Sequence, residues 1–374
     1  MTRVLAALGL VLLTAVGAAA QSTIRVAIAD GARAVELRGT DIDVIALGVE
    51  AVAWRTDVVR AAPAGPGLEV DGRRGASFRL RSERPIRLNG REYPGTLDVV
   101  RSGDGVAVVN ELPLEDYVSG VLRAEASEKW PLEMLRAQAT VARTYAAHHR
   151  VLGAGKPFHI VASTAHQQYA GRVPPTSPIW VAVRDTAGQV LLWEGEVFPA
   201  FYHTESGGYT EDPRSVFAAR NMPGLKPVRC DFSAAAGSPH FYWNLDVRLS
   251  DLSETLRRNG VRAGSVSAIE VTERTPSLRA SIVTVRGDRG AVPLRGNDFR
   301  RMLGYDTFKS TLFAVVIDGE WARFSGRGYG HGVGMCQWGA KGMAEQGYSA
   351  RQILEFFYPG TTLGSLSDRA APNQ

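Results

Sequence analysis

Between Ser22 and Asn110 apolar and polar positions follow a period of two, the pattern of half-buried strands. Ile24, Val26 and Ile28 alternate with Arg25, Ala27 and Ala29, and Phe78 and Leu80 alternate with Arg79 and Arg81. The run from Ile86 to Tyr93 carries Asn89-Gly90 at its middle, which predicts a hairpin, because that pair accepts the left-handed backbone of a tight turn. Leu97 and Val99, then Val106 and Val108, predict a second hairpin around Asp104-Gly105, and the Pro/Gly-rich piece from Ala61 to Gly67 reads as a loop.

After Asn110 the period changes. Leu114 to Leu122 fits a short helix and Pro131 to Arg150 a long one, with Pro131 in the first turn, where its missing N–H costs nothing. Leu132, Leu135, Ala139, Ala142 and Ala146 recur at three- and four-residue spacing, so they form the expected buried stripe. Arg136 and Arg143 then fall on the opposite face. Further strands are expected at Ile179–Val183, Gln189–Trp193, Val197–Tyr202, Ile269–Val271 and Ser281–Val285, and helices at Asp251–Arg258 and Asp298–Leu303. A last helix begins at the capping box Ser349-x-x-Gln352 and stops before Pro359-Gly360. Helices and strands are interspersed without a βαβ rhythm, so the fold class is α+β. The expected division is residues 21–109 as a β-rich domain, 110–362 as a mixed α+β core with a cleft, and 363–374 as a flexible tail.

Composition narrows the class. With 45% apolar and 22% charged residues the chain is ordinary globular material, which excludes wholesale disorder and collagen-like repeats. The formal charge is +5, with 38 Arg against 5 Lys, and no basic block or aromatic-basic motif accompanies it, so no nucleic-acid partner is expected. Residues 1–20 read as a signal peptide: Arg3, an apolar run from Val4 to Val16, then Ala18-Ala19-Ala20 as the cleavage site. That run is too short to span a bilayer and no Cys follows it, so an exported protein without a transmembrane or lipid anchor is expected, periplasmic or extracellular. Cys230 and Cys336 are too few for a disulfide framework or a four-cysteine zinc site, and both a pair and two separate thiols are open.

Four segments are richer in polar and glycine residues than folding requires. In Arg123 to Trp130, Glu125 precedes an aromatic ring and the apolar start of the long helix. A carboxyl held there has its charged form disfavoured, which raises its pKa and suits a general acid, at about 1.4 kcal/mol per pKa unit; the alternative is that Glu125 or Glu128 only caps the next helix. Arg143 is either solvated or a rigid guanidinium that holds a ligand. The segment Tyr202 to Glu211 lacks the Gly of a serine-hydrolase elbow and the His-Glu-x-x-His zinc pattern, and a hydrogen-bonded turn is its plainer reading. From Gly326 to Gly334 glycine occupies every second position, which lets backbone approach backbone or ligand closely, with His331 unshielded between two of them.

Taken together these pieces resemble the SpoIID/LytB family, which includes stage II sporulation protein D and the amidase enhancers. The matching motifs are Asn110 to Tyr117 with Gly120-Val121, then Glu125, Trp130 to Glu133, Ala137-Gln138-Ala139 and Ala142 to Ala146. They continue with His203 to Thr210, Gly326 to Ala340, Gly347-Tyr348-Ser349 and Tyr358 to Thr361. The resemblance implies an exported peptidoglycan lytic transglycosylase that cuts the MurNAc–GlcNAc bond of glycan strands stripped of stem peptides, without a cofactor. It places Glu125 at the catalytic acid and Arg143, His203, Ser206, Thr210, His331 and Gln337 at substrate-site positions. Some sporulation members bind zinc through Cys and His near the segment equivalent to His159–Gln168; here His159 and His166 stand without a Cys, so no metal is expected. The family's other name implies an alternative, a non-catalytic wall-binding enhancer whose partner is a cell-wall amidase. A two-carboxylate hydrolase is the third reading, with Asp116, Glu115 and Glu205 open as the second acid.

Overall fold

The architecture is that of a computed structural model that describes residues 22–48, 53–217, 222 and 224–366. The signal-peptide expectation for residues 1–20, and the tail from 367 on, lie outside the described residues.

The alternating N-terminal region folds as expected into strands: β1 (Thr23–Ala32), β2 (Val35–Leu47), β3 (Ala53–Ala64), β4 (Gly67–Val70), β5 (Arg73–Gly75), β6 (Ser77–Arg81), β7 (Ile86–Leu88), β8 (Arg91–Tyr93), β9 (Thr96–Ser102) and β10 (Gly105–Pro113). With β11 (Ile160–Val161) they form one sheet in the order β11-β1-β10-β9-β6-β2-β3-β4-β5, while the β7–β8 hairpin pairs onto β2. Asn89 and Gly90 turn that hairpin at φ 50° and 78°, as their identities require. Ser102 pairs with Gly105, which gives the second expected hairpin. Ala61 to Ala64, expected as loop, instead continue β3 against β4, and only Gly65-Pro66 turn the chain. Beyond Ala61 that strand is hydrogen-bonded on the β4 side alone, an edge on which Pro63 is tolerated.

The helices are α1 (Leu114–Glu125), α2 (Leu132–Leu152), α3 (Ile179–Asp185), α4 (Pro213–Val216), α5 (Phe232–Ala235), α6 (Leu249–Arg258), α7 (Gly296–Leu303), α8 (Gln337–Glu345) and α9 (Ala350–Phe357). The Ser349–Gln352 capping box is present at α9. Three local expectations change. Ile179–Val183 is helix rather than strand: its buried residues Ile179, Ala182 and Val183 keep a helical spacing and pack on α1 and α2, which overrides a β-branched composition. The strand expected at Val197–Tyr202 is broken into Glu196–Val197 and Tyr202–His203 around Pro199, which has no N–H for a ladder. Thr362–Ser365, expected mostly as tail, pairs with Gln189–Leu192.

Two apolar cores organise the molecule. The first joins the faces of β1 to β10 with α1, α2 and α3, and with Val333 to Tyr358 near the C-terminus. The expected domain boundary near Asn110 falls within β10, whose residues Gly105 to Asn110 are buried without alternation because both α1 and β3 pack against that strand. The second core, from Trp243 to Phe324, packs Phe299, Phe308, Phe313 and Phe324 between α6, α7 and two three-stranded sheets. It is an insertion: the chain leaves the first core after Cys230 and rejoins it at Val333.

Candidate functional site

Helix α1 buries Leu114, Tyr117, Val118, Val121 and Leu122, the spacing of one helical face, and that face aims its last residue, Glu125, at the junction of the two cores. Neither Glu125 nor Glu128 caps α2, whose N-cap is Pro131 with no side-chain bond. The Glu125 carboxyl is half-buried, and its Oε1 accepts the Gln168 backbone N–H at 2.7 Å. Burial pushes its pKa above the usual carboxylate range, against the lowering effect of Gln168 N–H and of the Tyr202 hydroxyl and Gln337 amide that face it. Its place at a helix C-terminus, the negative end of the dipole, works in the same direction as burial. The ring beside the carboxyl is thus Tyr202. Trp130, the ring expected there, meets Trp338 edge to face at 5.2 Å.

The two remaining polar segments meet at the same place. Tyr202–His203 pairs in parallel with Met335–Cys336, and Glu205 bridges Tyr329. Of the alternating glycines only Gly326 lies in a strand, Trp321–Arg327; Gly328, Gly330, Gly332 and Gly334 have φ of 86°, 117°, 84° and 72°. At Gly334 a Cβ would stand 1.9 Å from the Phe201 carbonyl oxygen, so this close approach of two backbones admits only glycine.

That looping backbone sets two imidazoles side by side, with ring centroids 5.6 Å apart. His203 Nδ1 donates to Val333 O at 3.1 Å, so Nε2 is left as an acceptor, and it is buried without a partner among the described residues. His331 Nδ1 accepts Val333 N–H at 3.0 Å. Burial holds both rings neutral; for His331, burial and then the nearby Arg300 and Arg279 push the pKa down to about 3.

A cleft of about 400 Å³ opens over these groups. One wall, from the first core, carries Glu125, His166, Gln168, Tyr202, His203 and Gln337; the other carries Asn297, Arg300, Tyr305 and Asp306 of the second lobe, with Tyr329 and His331 at its edge. Glu125, His203, His331 and Gln337 are therefore brought together. Ser206 and Thr210 are buried behind them: Ser206 Oγ accepts Gly208 N–H at 3.3 Å and Thr210 Oγ1 accepts Val228 N–H at 2.8 Å, both fixing turns.

Arg143 is neither solvated nor among the residues that line the cleft. It is fully buried and forks onto Glu115, with Nε to Oε1 at 2.9 Å and Nη2 to Oε2 at 2.6 Å, while Nη1 reaches Gln189 O at 3.1 Å. The helix face expected to be wet is covered because α2 is buried from Met134 to Ala147 with Arg136 as the exception, whereas Leu132 of the expected stripe is exposed. Glu205 lies under the glycine loop, bound by Ser233 Oγ at 2.7 Å and Gly207 N–H at 3.0 Å. The carboxylate on the wall opposite Glu125 is Asp306, which accepts the Tyr329 hydroxyl at 2.7 Å. Arg300 and Asp306 carry no local signal in the sequence, whereas Tyr202 and Tyr329 sit inside segments already marked by their polarity. Cys230 and Cys336 are free and buried.

The α1–α2 unit that presents Glu125, with its flanking strands, falls within residues 102–193, which match a family described as Stage II sporulation protein; residues 229–334, the second lobe, match a domain of unknown function. The chain belongs to the SpoIID family. It is 30% identical over 292 residues to stage II sporulation protein D of Bacillus amyloliquefaciens, covering 73% of this chain and 80% of that protein. An uncharacterized protein of Brachyspira hyodysenteriae is 34% identical over 277 residues, 74% of this chain and 73% of the relative. The amidase enhancer of Bacillus subtilis is 31% identical over 341 residues, and this chain spans about half of it, 47% of its length. Among the described residues no helix is long and apolar enough to cross a membrane.

Proposed function

We propose that this protein is an exported lytic transglycosylase of cell-wall peptidoglycan, cutting MurNAc–GlcNAc bonds in glycan strands with Glu125 as its one acid and base. The observation that carries the reading is the half-buried Glu125 carboxyl in the cleft, protonated above the usual carboxylate range beside neutral imidazoles. In the first step the Glu125 carboxyl gives its proton to the glycosidic oxygen as the bond from that oxygen to C1 of MurNAc breaks. The resulting carboxylate takes the proton of the same sugar's C6 hydroxyl, and that oxygen bonds to C1, leaving a 1,6-anhydro end. Water takes no part, so no second carboxylate is required. Gln168 N–H steadies the carboxylate midway, and the Gln337 amide beside it favours the charged form. Proton transfer of this kind is worth about 10²–10⁴ in rate.

The test is product analysis on stem-peptide-free glycan strands. Anhydro-ended fragments are expected from the wild type and none from Glu125→Gln. Products heavier by one water would identify a hydrolase and turn attention to Asp306. The amidase-enhancer name of one relative favours a second reading, in which the cleft holds glycan and assists a partner amidase without cutting. Undiminished enhancement by Glu125→Gln, with no fragments from the wild type, would select it.

A further inference from the structure

The second lobe presents to the cleft a cation that no described carboxylate pairs with. Arg300 is only 5% exposed. Its Nε donates to Phe308 O at 3.0 Å and its Nη2 to Tyr305 O at 3.5 Å, both uncharged acceptors, and the guanidinium lies over the Tyr305 ring at 4.7 Å. Nη1 is left without a partner among the described residues, in a side chain that lines the cleft. A buried guanidinium ordinarily has a carboxylate against it, since an isolated buried charge is expensive. Here burial instead lowers the Arg300 pKa to about 10, and the field of Arg300 and Arg279 helps to keep His331 neutral. Arg279 is itself buried behind Gly332, with Nε and Nη1 unpartnered among the described residues. Asp306 acts on Arg300 only through its field, which raises the Arg300 pKa, because that carboxylate is engaged by the Tyr329 hydroxyl and forms no ion pair with Arg300.

We propose that Arg300, with Asn297 one turn earlier on α7, forms a carboxylate subsite that determines which glycan the cleft accepts. The inference rests on the glycan reading above: the carboxylate that a MurNAc-containing strand offers is the free lactyl group of a sugar whose stem peptide has been removed. A planar monoanion fits the free edge of one guanidinium, while a dianionic phosphate would bring its second charge against Asp306 on the same wall. An intact stem peptide turns the lactyl acid into a neutral amide and leaves the buried cation unmatched, so discrimination comes from the penalty on the wrong ligand as much as from the bond to the right one. The specificity device then lies in the lobe that matches a domain of unknown function, across the cleft from the acid.

The experiment uses the full chain carrying Glu125→Gln, so that ligand survives, and calorimetric titration with two GlcNAc–MurNAc tetrasaccharides that differ only in free lactyl acid against lactyl methylamide. The free acid is expected to bind about 10- to 100-fold more tightly, the range of a charge-assisted hydrogen bond, and to lose that advantage with added salt. Adding Arg300→Gln is expected to abolish the preference while leaving the affinity for the methylamide, and Arg300→Lys to restore part of it. Equal binding of the two sugars by the protein with Arg300 intact overturns the subsite and leaves the glycan reading standing. Binding of neither sugar overturns both. Because this comparison needs no change at Arg300, it decides the matter even if Arg300→Gln does not fold.

Discussion

The Gln337 side-chain amide donates to the backbone carbonyl of Glu125 at 3.2 Å, a hydrogen bond between residues 212 positions apart. It ties the C-terminus of α1 to the N-terminus of α8, and the same Nε2 reaches Gln138 Oε1 at 3.4 Å on α2. The acid is thus held by a network that spans the first core, because the chain returns to that core after completing the second lobe. Gln337→Ala leaves a buried carbonyl and a buried amide without partners, at about 1–3 kcal/mol. We expect a lowered melting temperature, and a fall in glycan cleavage of about tenfold or more measured well below that temperature. Unchanged cleavage would mean that this bond does not orient the acid.

The pH response of stability is expected to carry a signature of Glu125. Its folded-state pKa lies above the unfolded value, so between the two the native state holds the extra proton. The stabilising contribution is therefore full below the unfolded pKa and is lost as pH rises through the folded one, at about 1.4 kcal/mol per unit of pKa difference. Glu125→Gln removes the titration while keeping an acceptor for Gln168 N–H. Denaturation of wild type and variant across pH 4 to 8, a span of about four units around the carboxylate range, checks this. The variant should gain relative to the wild type as pH rises, and a constant difference between the two curves would contradict the shifted acid.

Arg143 predicts a different phenotype. Cutting one side of a buried ion pair leaves the other charge unmatched, and Arg143 also satisfies carbonyls that hold α3 and the strand at Gln189. Arg143→Ala should therefore cost about 3–5 kcal/mol in urea denaturation. Adding Glu115→Gln should recover part of that loss, whereas two independent, additive losses would show that the pair is not coupled.

Much of this architecture is legible along the chain. The Asn89-Gly90 turn, the Ser349–Gln352 cap, the C-terminal end of α6 and the alternation of β6 are short-range matters, set by allowed φ/ψ, by side-chain bonds to nearby N–H groups and by periodicity. So are the polar segments that contribute Glu125, His203, His331 and Gln337, because such density of glycine and polar groups serves no apolar core. The helix at Ile179–Asp185, by contrast, follows from a surface offered by α1 and α2, and its own composition points the other way.

What only the tertiary structure decided is the environment of each charge. Arg136 and Arg143 lie on one helix face seven residues apart, yet Arg136 pairs with Asp185 and Glu133 near the surface while Arg143 is sealed under α3. Arg300 faces the cleft and Ser206 does not, although in the sequence the serine stands in a marked motif and the arginine in an ordinary short helix. Residue type and spacing determine which groups can donate, accept or titrate. Which of them do so in a shared cleft depends on how other segments of the chain pack over them, and burial is what moves a pKa or leaves a cation unmatched.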